Sequence, residues 1–198
     1  MFRWLPIAWL AFAAPQSDVV CSLGPNLSSY KPAQDLSPTP DAMQLIRKVS
    51  AAYESVCLPK CPAVAIYRNP TAPNVILLAP SNGAAKLVYA PPFFSTVYGQ
   101  FGEGAILALV GHVYGHAIDE TVPSNWMKKG WSAEIRADAW TGCALAKINP
   151  DSNGLTGALT ALQKYPPTAQ ASWLERSSAV RTGYVYCGGD SAKLSKKN

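Results

Sequence analysis

A chain of 198 residues, 48% hydrophobic and 15% charged, with a formal net charge of +5, is long enough for one well-filled core and short for two. The positive excess lies partly at the ends, at Arg3 and in the lysines from Lys193 onward, with no compact basic stripe, which argues against a nucleic-acid partner. No stretch reaches the ~18–20 uncharged residues that a bilayer span requires, so no transmembrane segment is expected.

Residues 1–13 read as a signal peptide. Met1-Phe-Arg3 is a short positive region, an apolar run follows from Trp4, and Ala11-Phe-Ala13 provides a cleavage site of A-x-A type. The expected location is secreted or periplasmic. Five cysteines, at positions 21, 57, 61, 143 and 187, suit such an oxidising compartment. Residues 14–39, rich in Pro, Ser, Asn and Gln, read as an extended N-terminal arm. Cys21 lies in this arm and is the thiol left over if the other four pair. A lipid-anchored Cys21 is the alternative, although Asp18-Val-Val-Cys21 has no small residue before the cysteine.

Thr39-Pro40 is a helix start, and Met43, Ile46, Val49, Tyr53 and Val56 continue at helical spacing over residues 40–56. Cys57-Leu-Pro-Lys-Cys61 is a turn that can close a small loop. A disulfide suits it better than a structural zinc site, for which no second Cys/His pair is near. Cys143 and Cys187 are candidates for a long-range staple, with connectivity left open by sequence. Three apolar runs, 62–67, 74–79 and 85–90, are bounded by turn residues and read as strands of one small sheet. From Gly102 the pattern is helical, with helices expected at 103–120, 131–147, 155–165 and 169–184. Strands followed by helices indicate an α+β domain over residues 40–187. Residues 188–198 read as a disordered basic tail.

The only two histidines, His112 and His116, are four residues apart on an expected helix. The ~40° offset and single turn of rise put both imidazoles on one face, a geometry that suits two ligands of a tetrahedral zinc ion. Core histidines satisfied by backbone would be the plainer explanation of an isolated pair. The next helix adds Glu134 and Asp138, again four apart, interleaved with Trp131, Ile135, Ala137 and Trp140. Carboxylates in such company are costly to bury without a cation or hydrogen-bond partners. Glu134 can supply a third metal ligand, and Asp138 can accept the second N–H of a ligating imidazole. A solvated acidic face paired with Arg136 is the alternative.

Gly111-His-Val-Tyr-Gly-His116 followed by Glu134-Ile-Arg-Ala-Asp138 resembles the H-E-x-x-H plus E-x-x-A-D pattern of gluzincin zinc metallopeptidases. It is most similar to the small members related to CAAX prenyl proteases and stress-induced membrane-quality proteases. The resemblance implies a single compact zincin-like domain in which a small sheet packs on a zinc helix and a following glutamate helix. It also implies a Zn²⁺ cofactor and a cleft for a peptide or protein. Asn74 and the strands around it stand where the family has its substrate-binding sheet edge, and Arg176 to Cys187 resembles a common C-terminal helix ending.

The departure is at Val113, where the family has the glutamate that takes a proton from the attacking water and passes it to the leaving amine. Valine offers no acceptor. Glu103, Asp119 and Glu120 are not placed to replace it, and Cys143 is expected to face away from the ligands. Arg136, Arg181 and Tyr184 are candidate oxyanion donors. The expected function is therefore an exported, zinc-binding, hydrolytically impaired member of the family. Alternatives are an active peptidase using another base and a metal-free structural or binding protein. Position 113 is expected to border a water-filled cleft, so Val113→Glu should restore the base with little disturbance of packing and raise peptidase activity by at least ~10²-fold.

Overall fold

The computed structural model describes residues 19–23, 29–167 and 171–194, so the expected signal peptide lies outside the described residues. The described residues form an α+β domain with a four-stranded sheet and six α-helices.

Strand β1 (Val19–Ser22) is followed by helix α1 (Pro40–Cys57), then by β2 (Val64–Arg68), β3 (Val75–Ser81) and β4 (Ala84–Tyr89). Thr39 caps α1 by accepting the Ala42 N–H, and Pro40 occupies its first turn, where a missing N–H costs nothing. Ile46, Val49 and Tyr53 bury one face of this helix. β3 and β4 form a hairpin through Asn82 and Gly83, whose φ angles of 56° and 83° give the two left-handed residues that match strand twist. β2 lies parallel to β4 on its other side, giving the order β1-β3-β4-β2. Alternation divides the sheet into two buried faces. Val75, Leu77, Leu87 and Tyr89 join the main core, and Ile76, Leu78 and Val88 join a smaller cluster closed by Tyr30, Tyr67 and Phe93.

Helix α2 (Pro91–Phe101) follows at once, then α3 (Glu103–Thr121), α4 (Ala133–Ile148), α5 (Ser152–Lys164) and α6 (Trp173–Tyr186). The segment 91–101 is a helix that the sequence reading passed over. Pro91-Pro92, which reads as a break after a strand, is also a favoured first turn, and Phe94 and Val97 bury its inner face. Every residue of α3 from Gly104 to Ile118 is buried, as expected of a central helix that is apolar all round. Gly142 and Gly183 let α4 and α6 meet backbone to backbone: a Cβ on Gly183 would lie 1.7 Å from the Ala139 carbonyl oxygen.

The arm and the tail differ from expectation. Residues 19–22 are a strand of the sheet, and Asp35 pairs with Lys86 and accepts from Tyr30 and Asn69. The arm is thus stitched to the body. Beyond α6, Ser191–Leu194 forms a 3₁₀ turn, held where Lys193 donates to Asn149 Oδ1 at 2.7 Å; this part of the expected disordered tail is ordered. Disulfides join Cys57 to Cys61 and Cys143 to Cys187, in keeping with an oxidising environment. Among the described residues no helix is long and apolar enough to cross a membrane.

Candidate metal centre

α3 and α4 are brought together by a glycine before each histidine, Gly111 against Thr141 and Gly115 against Ala137. Gly115 faces α4 so closely that a Cβ there would sit 3.0 Å from the Ala137 carbonyl oxygen. This approach carries the first two turns of α4 to the His112/His116 face. Ser132 caps α4 by accepting the Ile135 N–H, which fixes Glu134 in the first turn. Glu134 Oε2 lies 3.1 Å from His112 Nε2 and 3.3 Å from His116 Nε2. The two imidazoles are 5.2 Å apart, with ring planes at 86°, so both Nε2 atoms converge on one carboxylate oxygen.

Behind the histidines is a buried polar relay. Asp138 Oδ1 lies 2.8 Å from His112 Nδ1. Arg176 of α6 donates to Asp138 through Nε at 2.8 Å and Nη2 at 3.1 Å, and its Nη1 donates to the Leu162 carbonyl at 2.8 Å. A carboxylate on Nδ1 selects the imidazole form that leaves Nε2 for a metal. The guanidinium gives both oxygens of the fully buried Asp138 a charged hydrogen-bond partner. Arg176 is a part of the site that sequence reasoning missed, since a lone arginine on a helix carries no signal of its target.

The larger omission is Cys21. Its sulfur, the two histidine nitrogens and a Glu134 oxygen all lie within 4.8 Å of one another. The cause is a β-bulge. β1 pairs antiparallel with β3, Val19 opposite Leu78 and Cys21 opposite Leu77, so the two-residue step on β1 answers a one-residue step on β3. An unbroken register would put Cys21 opposite Ile76, on the sheet face away from the helices. The extra residue turns it to the Leu77 face, toward α3, because a one-residue slip exchanges the faces of a strand. Cys21 is not a surface thiol here: it is 3% exposed. No sequence signal marked it, because the bulge is a property of the pairing.

The protonation pattern shows what the cluster demands. Burial alone pulls the His112 imidazole down, but Asp138, with Cys21 and Glu134, outweighs it and holds His112 well above the usual histidine range. Burial likewise opposes the charge on His116, and the adjacent Cys21 and Glu134 outweigh it, raising His116 to about 9. Glu134 is lowered to about 2, its burial overcome by the two imidazoles. The Cys21 thiol is lowered against its own burial by the same pair. The shifts thus run toward the anion at Cys21 and Glu134 and toward the imidazolium at both histidines. One divalent cation in place of the two imidazolium protons leaves the total charge unchanged. His116 Nε2 is buried and makes no well-formed hydrogen bond to any described group, as expected of a nitrogen whose partner is an ion. A Cys/His/His/Glu set of donors with borderline-soft sulfur and nitrogen fits a tetrahedral transition metal.

The other candidate residues are not gathered here. Val113 is fully buried in the main core, so, contrary to expectation, it does not border a water-filled cleft and a glutamate there would not meet a zinc-bound water. Arg181 donates to the Leu194 carbonyl at the surface and lines a pocket with Leu159 and Leu174, away from the ligands. Arg136 pairs with Asp119 at 2.7 Å and also donates to the Trp131 carbonyl; Asp119 accepts from Trp140 as well. Tyr184 is fully buried with its hydroxyl unpartnered among the described residues, and no contact joins it to the ligands. Glu103 pairs with Lys48 at 2.5 Å. Cys143 is in a disulfide and is not a ligand. No protein-family model matches this sequence, and no curated protein or solved structure matches it significantly.

Proposed function

We propose that this chain is an exported zinc-binding protein built on a gluzincin-type helix pair, with a closed metal centre and no effective peptidase activity. The observation that supports it best is the convergence of Cys21, His112, His116 and Glu134, from one strand and two helices, within a single buried 4.8 Å cluster. Working zinc hydrolases keep three protein ligands and an open position, whereas closed sites use four. Bound zinc would supply Lewis acidity and a strong tie between β1, α3 and α4. The chain's own residues supply the rest: Asp138 orients His112, Arg176 holds Asp138 in place, and Val113 leaves the position of the general base apolar. With a fourth ligand in place and no base, the site favours holding an ion over turning over a substrate. Export is supported by the two disulfides and the N-terminal sequence.

Protein purified without chelator is expected to carry a near-equimolar transition metal by elemental analysis. Glu134→Ala and His116→Ala are expected to lose it, and a broad peptide library should be cleaved at background rates. Metal-free protein whose stability is unmoved by added zinc would overturn the reading. Chelator-sensitive peptide cleavage by the parent would overturn the impaired part of it and favour an active peptidase with another base.

A further inference from the structure

Cys21 is held as firmly as the histidines. Leu23 bridges Pro167, Asn74 Nδ2 donates to the Leu23 carbonyl, and Cys21, Ser22 and Leu23 are all buried. With His112 and His116 buried as well, an ion held by the four donors has no open face for a substrate. The chemistry left to such an ion is the passage of an electron, and two observations point there. The first is the donor set. One thiolate and two imidazoles are the trio of one-electron copper sites, in which a further, weaker ligand tunes the potential. Glu134 stands in that further place, and Cu²⁺ outranks Zn²⁺ at sites of nitrogen, oxygen and sulfur. Thiolates are ordinarily consumed when two of them reduce two Cu²⁺ ions and join as a disulfide. That loss is blocked here, because the other four cysteines are paired with one another and Cys21 is buried. The second observation is a line of aromatic rings. Gly115, next to His116, packs so closely on Trp140 that a Cβ there would lie 3.2 Å from the Trp140 Cβ. Buried Trp140 meets Trp126 edge to face at 5.3 Å, and Trp126 stacks on Tyr186 at 4.4 Å with ring planes 9° apart. Tyr186, on α6, is 60% exposed. The rings therefore lead from the histidine helix to solvent without a saturated side chain between them.

We infer that the centre takes copper as well as zinc and passes single electrons, with Trp140, Trp126 and Tyr186 as the route between the ion and the surface. In each transfer Cu²⁺ gains one electron and becomes Cu⁺, and a one-electron donor at the Tyr186 end loses it. No bond to a ligand is made or broken, and the tightly held donors need move little between the two states. The inference rests on the four-ligand reading above, and the experiment below separates the two.

The chelator-treated full chain given one equivalent of Cu²⁺ is expected to show the intense visible absorption of thiolate-to-copper charge transfer, and Cys21→Ser should lose that band. Ascorbate should bleach the band and ferricyanide should restore it over repeated cycles, with copper still near-equimolar by elemental analysis. Trp126→Leu and the surface change Tyr186→Leu should keep both the band and the electron paramagnetic resonance spectrum of the copper. Each should nevertheless slow re-oxidation by ferricyanide at least ~10-fold, equivalent to about 1.4 kcal/mol on the barrier. A merely structural role for these rings would not slow exchange at an unaltered copper site. Unchanged re-oxidation in both variants would overturn the inference, as would bleaching that ferricyanide does not reverse. A chain that holds zinc but forms no copper–thiolate band would overturn it and leave the metal reading standing. A chain that binds neither ion would overturn both.

Discussion

At position 113 a valine is wholly enclosed by the main core. Val113→Glu would place a carboxylate there with no cation positioned to receive it. Burying an unpaired polar or charged group costs several kcal/mol, so the expected result is a lower thermal midpoint and unchanged peptide turnover. A rise in turnover of ~10²-fold or more, the lower end of what a positioned general base contributes, would show that the position does reach substrate. Arg176 is the other residue with a large expected effect. Arg176→Ala removes the guanidinium that donates to both oxygens of the buried Asp138 and leaves it the His112 contact, and breaking a buried ion pair in this way costs about 3–5 kcal/mol. Metal affinity should also fall by ~10–100-fold as His112 loses its fixed orientation, as read by chelator competition. Asp138→Ala should give the same fall in affinity. His112, His116, Glu134 and Asp138 were legible because helical spacing alone puts each pair on one face. Cys21 and Arg176 were not, since both reach the site through tertiary pairing.

The helices that surround the site follow from local rules. Thr39-Pro40, Ser132 and Ser172 cap α1, α4 and α6, and the continuous apolar run of α3 marks it as the buried centre. β3 and β4 are equally plain, since Asn82-Gly83 between two apolar runs has few other uses. β1 was illegible for two reasons. Val19-Val-Cys-Ser22 is four residues long, and its bulge removes the alternation by which a strand is recognised. α2 was lost to an ambiguity at the proline pair, because the same residues end strands and begin helices. A strand whose register decides whether a metal ligand reaches its partners is the element where pattern reading is weakest.

For the whole molecule, the cluster couples metal content to pH. In the metal-free chain His116 is raised from 6.5 to about 9. Its stabilising contribution is therefore fully present below 6.5 and is lost as pH rises through about 9. Glu134, lowered from 4.5 to about 2, contributes above 4.5 and loses that contribution as pH falls through about 2. The thermal midpoint of chelator-treated protein should thus decline between about pH 7 and pH 10, and zinc-loaded protein should resist that decline because its histidines carry no titrating proton. Thermal scans across that range, with and without chelator, check this; a metal-free midpoint that rises with pH would contradict it.

The Cys57–Cys61 bridge closes a loop with a sequence separation of only 4. During synthesis Cys21 leaves the ribosome first and remains unshielded until His112, His116 and Glu134 have followed. Cys57 and Cys61 emerge together, and a short tether makes their encounter far more frequent than either one's encounter with Cys21. The nearby pair therefore forms its bond early and withdraws two rival sulfurs before the earliest thiol can be captured by the wrong partner. The order in which the cysteines are born thus helps deliver Cys21 to the histidines unspent.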